Sequence, residues 1–297
     1  MKLQKIVNRL QKLHPKEIDL SLDRIKFLCK KLGNPQDEIN CIQVCGTNGK
    51  GSTISFLRSI LKEANIKCNI YTSPHVIHIN ERFVYNDEMI SDDDLSNLLN
   101  EIEEINNGQP LTYFEALTAA FFHGCKKYKQ NLVIAEFGLF GRGDAVNILK
   151  KNLCNIITSC SEDHLDWLPK NDRTIERIIF EKTSSLLNSN IVVAKQNSNE
   201  IVEYIKKNIS NNSANKYYFK ENYNFVLKEN DFFYYEDKYG SLKIPKPNLN
   251  GQFQIENAST AIATLRILED IKINDQHITN GIQKAYNIAR LEEIKTG

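Results

Sequence analysis

Residues 42–52, IQVCGTNGKGS, decide how the rest of the chain is read. A short, mostly apolar run gives way to glycine, small polar residues and one lysine just before a helical pattern begins. That is the form of a phosphate-binding loop between a buried strand and a helix. Gly46, Gly49 and Gly51 let backbone amides approach an anion, Lys50 adds a mobile positive charge, and the helix adds the positive end of its dipole. An ATP-like triphosphate is the expected occupant. A glycine-rich turn with no ligand is the competing reading, but such a turn needs neither three glycines nor a central lysine. The spacing departs from the common G-x-x-x-x-G-K-[ST], because Gly51 separates Lys50 from the Ser52 hydroxyl, and this narrows the families to consider.

Outward from the loop, apolar runs of strand length recur at 68–71, 132–135, 153–158 and 191–194, beside 42–45 itself. Helical patterns lie between them. Leu57, Ile60, Leu61 and Ala64 repeat on one face, and Leu95, Leu98, Leu99, Ile102 and Ile105 do so after a capping box from Ser91 to Asp94. Another long helix is expected over 112–127. Strands buried on both faces and alternating with helices predict an α/β fold, a mostly parallel sheet flanked by helices. Two helical patterns, 3–13 and 19–32, precede the sheet as a lid or brace, separated by His14-Pro15 and closed by Gly33-Asn34-Pro35. After Asn199 come a polar helix, an Asn/Ser loop and aromatic strand material over 217–244, which predict a small peripheral antiparallel patch. A helix with Ala258, Ala261, Ile262, Leu265 and Leu268 on one face follows, then a last helix ending near Ala289.

Composition bounds the partners. With 38 basic and 37 acidic residues in 297, the net charge of +1 supplies no field for a nucleic-acid backbone or an anionic membrane. Seven cysteines without a C-x-x-C pair sit mostly in apolar runs, as reduced core thiols do, and point to the cytoplasm. The amphipathic start, MKLQKIVNRLQKL, has no continuous apolar stretch or cleavage signal, although its basic character leaves room for an organellar presequence. A monomer is expected.

Ligands of open α/β sheets sit at the carboxyl ends of the strands. The first run is followed by the phosphate loop, the second by Thr72-Ser73-Pro74-His75, the third by Glu136 and the fourth by Ser161-Glu162-Asp163-His164. Oxygen and imidazole groups gathered beside a triphosphate are where Mg²⁺ is needed to bridge phosphate oxygens. Each has a plainer reading as well: Ser73 as a turn residue, His164 as a hydrogen-bonded structural histidine. Lys182 is a different anomaly. It shares a helical face with Ile175, Ile179 and Leu186, so it points inward, either snorkelling to solvent or held neutral and able to capture CO₂ as a carbamate.

These segments together resemble the folylpolyglutamate synthase/dihydrofolate synthase family, the folate branch of the Mur ligase superfamily. VCGTNGKGS resembles that branch's phosphate loop and YTSPHVIHINERF its second signature; LTYFEALTAAFF, AEFGLFGRGDAVN, the DH of SEDH, FEK and LNGQFQIENA follow in the family's order. The resemblance spans essentially the whole chain and implies a Mur-ligase-like central domain. It places Gly46, Thr47, Asn48, Gly49, Lys50, Gly51 and Ser52 around ATP, with Ser52 on a first Mg²⁺. It also places Ser73, Glu136 and His164 on a second Mg²⁺, a carbamylated Lys182 beside them, and Asn257 and Arg290 on the nucleotide. Arg82, Phe114 and Glu115 fall to the pterin side. The implied activity is an ATP-dependent amide ligase that joins L-glutamate to dihydropteroate or a reduced folate, with Lys50, Lys182 and His164 in catalysis. A nucleotide-binding module without ligase activity is the alternative. A P-loop kinase or GTPase lacks support, since neither N-K-x-D nor an arginine-rich lid is present.

Departures from the family pattern are Phe140 in a glycine-rich segment, Gly143 where a larger residue is usual, Ser184-Ser185 after the lysine, Phe253 in place of histidine, and Ala289 before Arg290. The resemblance divides the chain into a central domain over 1–288 and, at 289–297, the start of a C-terminal ligase domain expected to be otherwise missing.

Overall fold

The computed structural model describes residues 2–16, 19–229 and 231–286. In chain order the elements are α1 (Lys2–Leu10), α2 (Asp23–Lys31), β1 (Asn40–Cys45), α3 (Lys50–Glu63), β2 (Cys68–Tyr71), β3 (Phe83–Tyr85), β4 (Glu88–Met89), α4 (Asp92–Asn106), α5 (Tyr113–Cys125) and β5 (Leu132–Glu136). Then follow β6 (Cys154–Ile157), α6 (Ile175–Thr183), β7 (Asn190–Val193), α7 (Asn199–Asn208), β8 (Lys216–Tyr218), β9 (Tyr223–Glu229), β10 (Phe232–Asp237), β11 (Gly240–Pro245), α8 (Phe253–Ile267) and α9 (Asp275–Lys284).

Eight strands form one sheet in the order β4-β3-β2-β5-β1-β6-β7-β8, and β9, β10 and β11 form a separate antiparallel sheet. From β2 through β8 every pairing in the large sheet is parallel; the β3–β4 hairpin adds an antiparallel edge. The chain leaves β1 toward β2 on one side and later places β6, β7 and β8 on the other. A switch point therefore lies at β1, and its carboxyl end opens into residues 46–49.

Side-chain alternation sorts the two faces. Cys41 and Cys45 of β1 pack with α1, α2, α4, α5 and α7, whereas Ile42 and Val44 pack with α3, α8, α9 and the small sheet. Leu57, Ile60 and Leu61 of α3 are fully buried, and each such burial stabilises the fold by about 2 kcal/mol. Thr112 caps α5 and Glu115 completes the box from its third residue. Ser91 caps α4 too, but the Asp94 carboxylate accepts from the Ser91 hydroxyl at 2.7 Å, so no capping box is formed there.

The strand runs appear within a residue or two of their expected places. Other expectations change. The N-terminal helices are a brace: α1 packs on α4 and α2 on α5, with Arg9 paired to Glu103 at 2.6 Å. The aromatic patch divides, because β8 continues the parallel sheet beside β7 and only β9–β11 are antiparallel. The β3–β4 hairpin was not expected; its turn residues Asn86 and Asp87 both have positive φ. The last described helix stops at Lys284, and Ala289 lies outside the described residues. All seven cysteines are free and buried. Among the described residues no helix is long and apolar enough to cross a membrane.

Candidate active site

The phosphate loop begins where β1 ends. Gly46 and Gly49 both have positive φ, and a Cβ at either would strike Thr158 or Asn257 respectively, so only glycine fits. Gly49 is the N-cap of α3 without any side-chain cap, and Thr53 is the residue whose amide returns to the Gly49 carbonyl, at 2.9 Å. The amides preceding Thr53 are thus outside the helical ladder, at the positive end of its dipole. Thr47 and Asn48 have another duty. Their backbone amides bond to the Ser159 carbonyl at 2.9 and 3.0 Å, Thr47 Oγ1 meets Ser161, and Asn48 Nδ2 donates to Ser161 Oγ. Those two residues brace the loop against the segment after β6.

Three other strand ends converge on this loop. Glu136, 4% exposed at the end of β5, accepts the Ser73 amide on Oε2 at 3.1 Å and lies 3.8 Å from Lys50 Nζ through Oε1. Lys50 Nζ also donates to the Gly46 and Thr47 carbonyls, each at 3.1 Å. Ser52 is buried, and the buried Ser73 Oγ has no hydrogen-bond partner. Lys182 is 2% exposed and does not snorkel: Nζ donates to Leu139 O at 2.8 Å and Gly46 O at 3.3 Å, 5.5 Å from the Phe140 ring centroid. Burial, and then the charge of Lys50, lower its pKa. Phe140 also meets the His164 ring edge-on at 6.3 Å, so its ring neighbours both residues. His164 has positive φ, and its Nε2 is 3.1 Å from Asp163 Oδ2; burial keeps its pKa below the ordinary value despite that carboxylate.

Among the described residues no group of three or more His, Cys, Asp or Glu side chains forms a cation site by itself. What the chain does present are hard oxygens, the unpartnered Ser73 hydroxyl beside the Glu136 carboxylate and the Ser52 hydroxyl in the first turn of α3, donors that suit Mg²⁺ bound partly through phosphate.

Ser73 also lines a cleft of about 260 Å³ together with Arg82, Phe114, Glu115, Asp144 and His164. Arg82 is buried and donates from Nε to His75 Nδ1 at 2.9 Å. Glu115 accepts on Oε2 from the Thr112 amide and from Arg24, while its buried Oε1 has no hydrogen-bond partner. Phe114 packs over Gly138 and near Tyr71. Asn257 lies against Gly49. Arg290 falls outside the described residues.

Some residues that shape the site carried no signal strong enough to be singled out. Asp144 accepts from the amides of Gly138, Leu139 and Val146 at 2.9–3.0 Å and so folds the loop after β5. Arg142 makes a two-bond pair with Glu181, the neighbour of Lys182, and Asn147 bonds to Ser185 Oγ at 2.9 Å. The signal available for Asp144 was an aspartate two residues before the Val146 amide it bonds, the pattern of an Asx turn.

Fold and site together define a P-loop α/β domain, and the chain belongs to the Mur ligase family, whose middle-domain model matches residues 44–265. Its relatives lie in the folate branch. The dihydrofolate synthase/folylpolyglutamate synthase of Bacillus subtilis (strain 168) is 32% identical over 292 residues, covering 92% of this chain and 66% of the relative. The structure of E. coli FolC in complex with DHPP and ADP superposes with a TM-score of 0.87 at 30% identity, covering 98% of this chain and 68% of that one. A bifunctional folylpolyglutamate synthase/dihydrofolate synthase from Yersinia pestis, complexed with AMPPNP and a Mn ion, gives 0.86 at 29%, with coverage of 98% and 68%. The chain spans just under two thirds of the length of the curated relatives it matches.

Proposed function

We propose that this chain carries the ATP site and the acceptor-carboxylate site of a ligase that joins L-glutamate to dihydropteroate or a reduced folate. One observation carries the reading: Ser73, held by Glu136, borders both the phosphate-loop side and the cleft with Arg82, Phe114 and Glu115. A substrate seated in that cleft presents its carboxylate to the γ-phosphate across Ser73.

The amides at the start of α3 cradle the phosphates, and Lys50 exchanges its loop carbonyls for phosphate oxygens as charge develops. The carboxylate oxygen bonds to the γ-phosphorus as the bond to ADP breaks. The glutamate amine then attacks the acyl carbon, forming the amide, releasing phosphate and losing a proton. A first magnesium would be held by Ser52 and a second by Ser73, Glu136 and His164, and both would neutralise charge on the phosphate oxygens. Lys182 is the group assigned the carbamate. Burial favours its neutral, nucleophilic form, and because a carbamate nitrogen keeps a single hydrogen, Nζ must release Gly46 O or Leu139 O to form it.

The test supplies dihydropteroate or a reduced folate, glutamate and MgATP, without and with the remaining third of a relative in trans. Amide product in either arm supports ligation. ATP binding without product in both arms leaves a nucleotide-binding module.

A further inference from the structure

Between the antiparallel sheet, β8 and α8 lies a cavity of about 340 Å³, to which neither the phosphate loop nor the Ser73 cleft contributes a residue. Its inner wall is fixed. Tyr223 and Tyr235 are buried and stack at 6.2 Å; the Tyr223 hydroxyl donates to Val193 O at 2.9 Å and the Tyr235 hydroxyl to Asp237 Oδ2 at 3.0 Å. Asp237 also accepts from the Tyr239 amide at 2.8 Å and pairs with Arg266 Nε at 3.2 Å, so its charge is compensated within the wall. Ala263 and Ile267 of α8 complete the apolar lining.

The mouth is different. Tyr217 and Tyr239 both turn a ring face to the Lys238 ammonium, which lies 5.9 and 4.7 Å from their centroids, and among the described residues no carboxylate forms an ion pair with it. The other acid lining the cavity, Glu221, is paired with Lys206 at 2.9 Å. What the mouth offers is therefore two aromatic faces and one uncompensated positive charge. An exposed contact between an ammonium and a ring is weak, so Lys238 leaves the two rings at little cost.

We propose that this cavity binds a planar aromatic acid. The ligand's ring takes the place of the ammonium against Tyr217 and Tyr239, and Lys238 turns onto the acid group. A flat π system gains ring-on-ring contacts that an aliphatic acid of similar size cannot make. An aromatic amine would meet the charge of Lys238 instead of being attracted by it. The inference is independent of the phosphate-loop reading.

The experiment measures, by calorimetry and without nucleotide, binding of naphthoate, cyclohexanecarboxylate and naphthylmethylammonium to the full chain and to its Tyr239→Leu and Lys238→Gln variants. Both side chains are exposed, so the wall behind them stays folded. Wild type is expected to prefer naphthoate over either other probe. Tyr239→Leu should weaken naphthoate about fivefold. Lys238→Gln should weaken it about threefold and erase its advantage over the ammonium probe. Absence of naphthoate binding overturns the inference, and so does equal binding of cyclohexanecarboxylate or of the ammonium. Naphthoate affinity unchanged in both variants also overturns it, because the ligand is then bound elsewhere. None of these results bears on the phosphate loop, whose residues are left unaltered.

Discussion

Lys182 shows how far a single residue can be read before its surroundings are known. Helical spacing alone aimed it inward beside Ile175 and Ile179, and it is indeed buried, but its partners, two backbone carbonyls and the Phe140 ring, come from segments distant in sequence. Periodicity reports a direction and never what lies at the end of it. The carbamate assignment predicts that protein in ¹³C-bicarbonate with Mg²⁺ and ATP shows a carbamate carbon resonance that is absent from Lys182→Ala. Identical spectra would contradict it. Glu136 was legible for a related reason, since a carboxylate ending an apolar run is costly to bury without partners. Asp144 was not, because an aspartate in a loop costs nothing until the fold encloses it.

The loop from Phe137 to Ile148 is the element that joins the phosphate-loop side to the cleft lined by Ser73 and Arg82. It supplies Leu139 O to Lys182, lines the cleft through Gly138, Gly143 and Ala145, and is tied to α6 by Arg142 and Glu181. Asp144 holds it together, and burial raises that carboxyl to about 6 despite three amide donors. A raised acid binds its proton more tightly in the folded chain than in the unfolded one, so its contribution is greatest below the unfolded value and falls as pH rises through the folded one. Urea unfolding between pH 4 and 7.5 should show wild type losing up to about 3 kcal/mol relative to Asp144→Asn as pH rises from about 4 to about 6. Parallel profiles would contradict this. Among the elements, the central strands were legible because burial on both faces leaves long apolar runs. The β3–β4 hairpin was too short for alternation to show, and β8 was placed in the antiparallel patch rather than beside β7 because pairing partners are not encoded in local pattern.

At the scale of the whole molecule, strand order makes the site. Because β1 lies between β5 and β6, residues far apart in sequence, Lys50, Ser73, Glu136 and Lys182, meet at one edge of the sheet. The parallel class and the strand ends could be anticipated from the chain; the division of the helices between the two faces, and the cleft beyond Ser73, required the fold. The central claim is that this edge passes a phosphoryl group to a carboxylate. Its most direct test uses substrate labelled with ¹⁸O in the carboxylate, together with MgATP, glutamate and, where needed, the remaining third of a relative. An acyl phosphate requires one ¹⁸O to appear in the released phosphate for each amide formed. Amide accompanied by unlabelled phosphate would contradict the account.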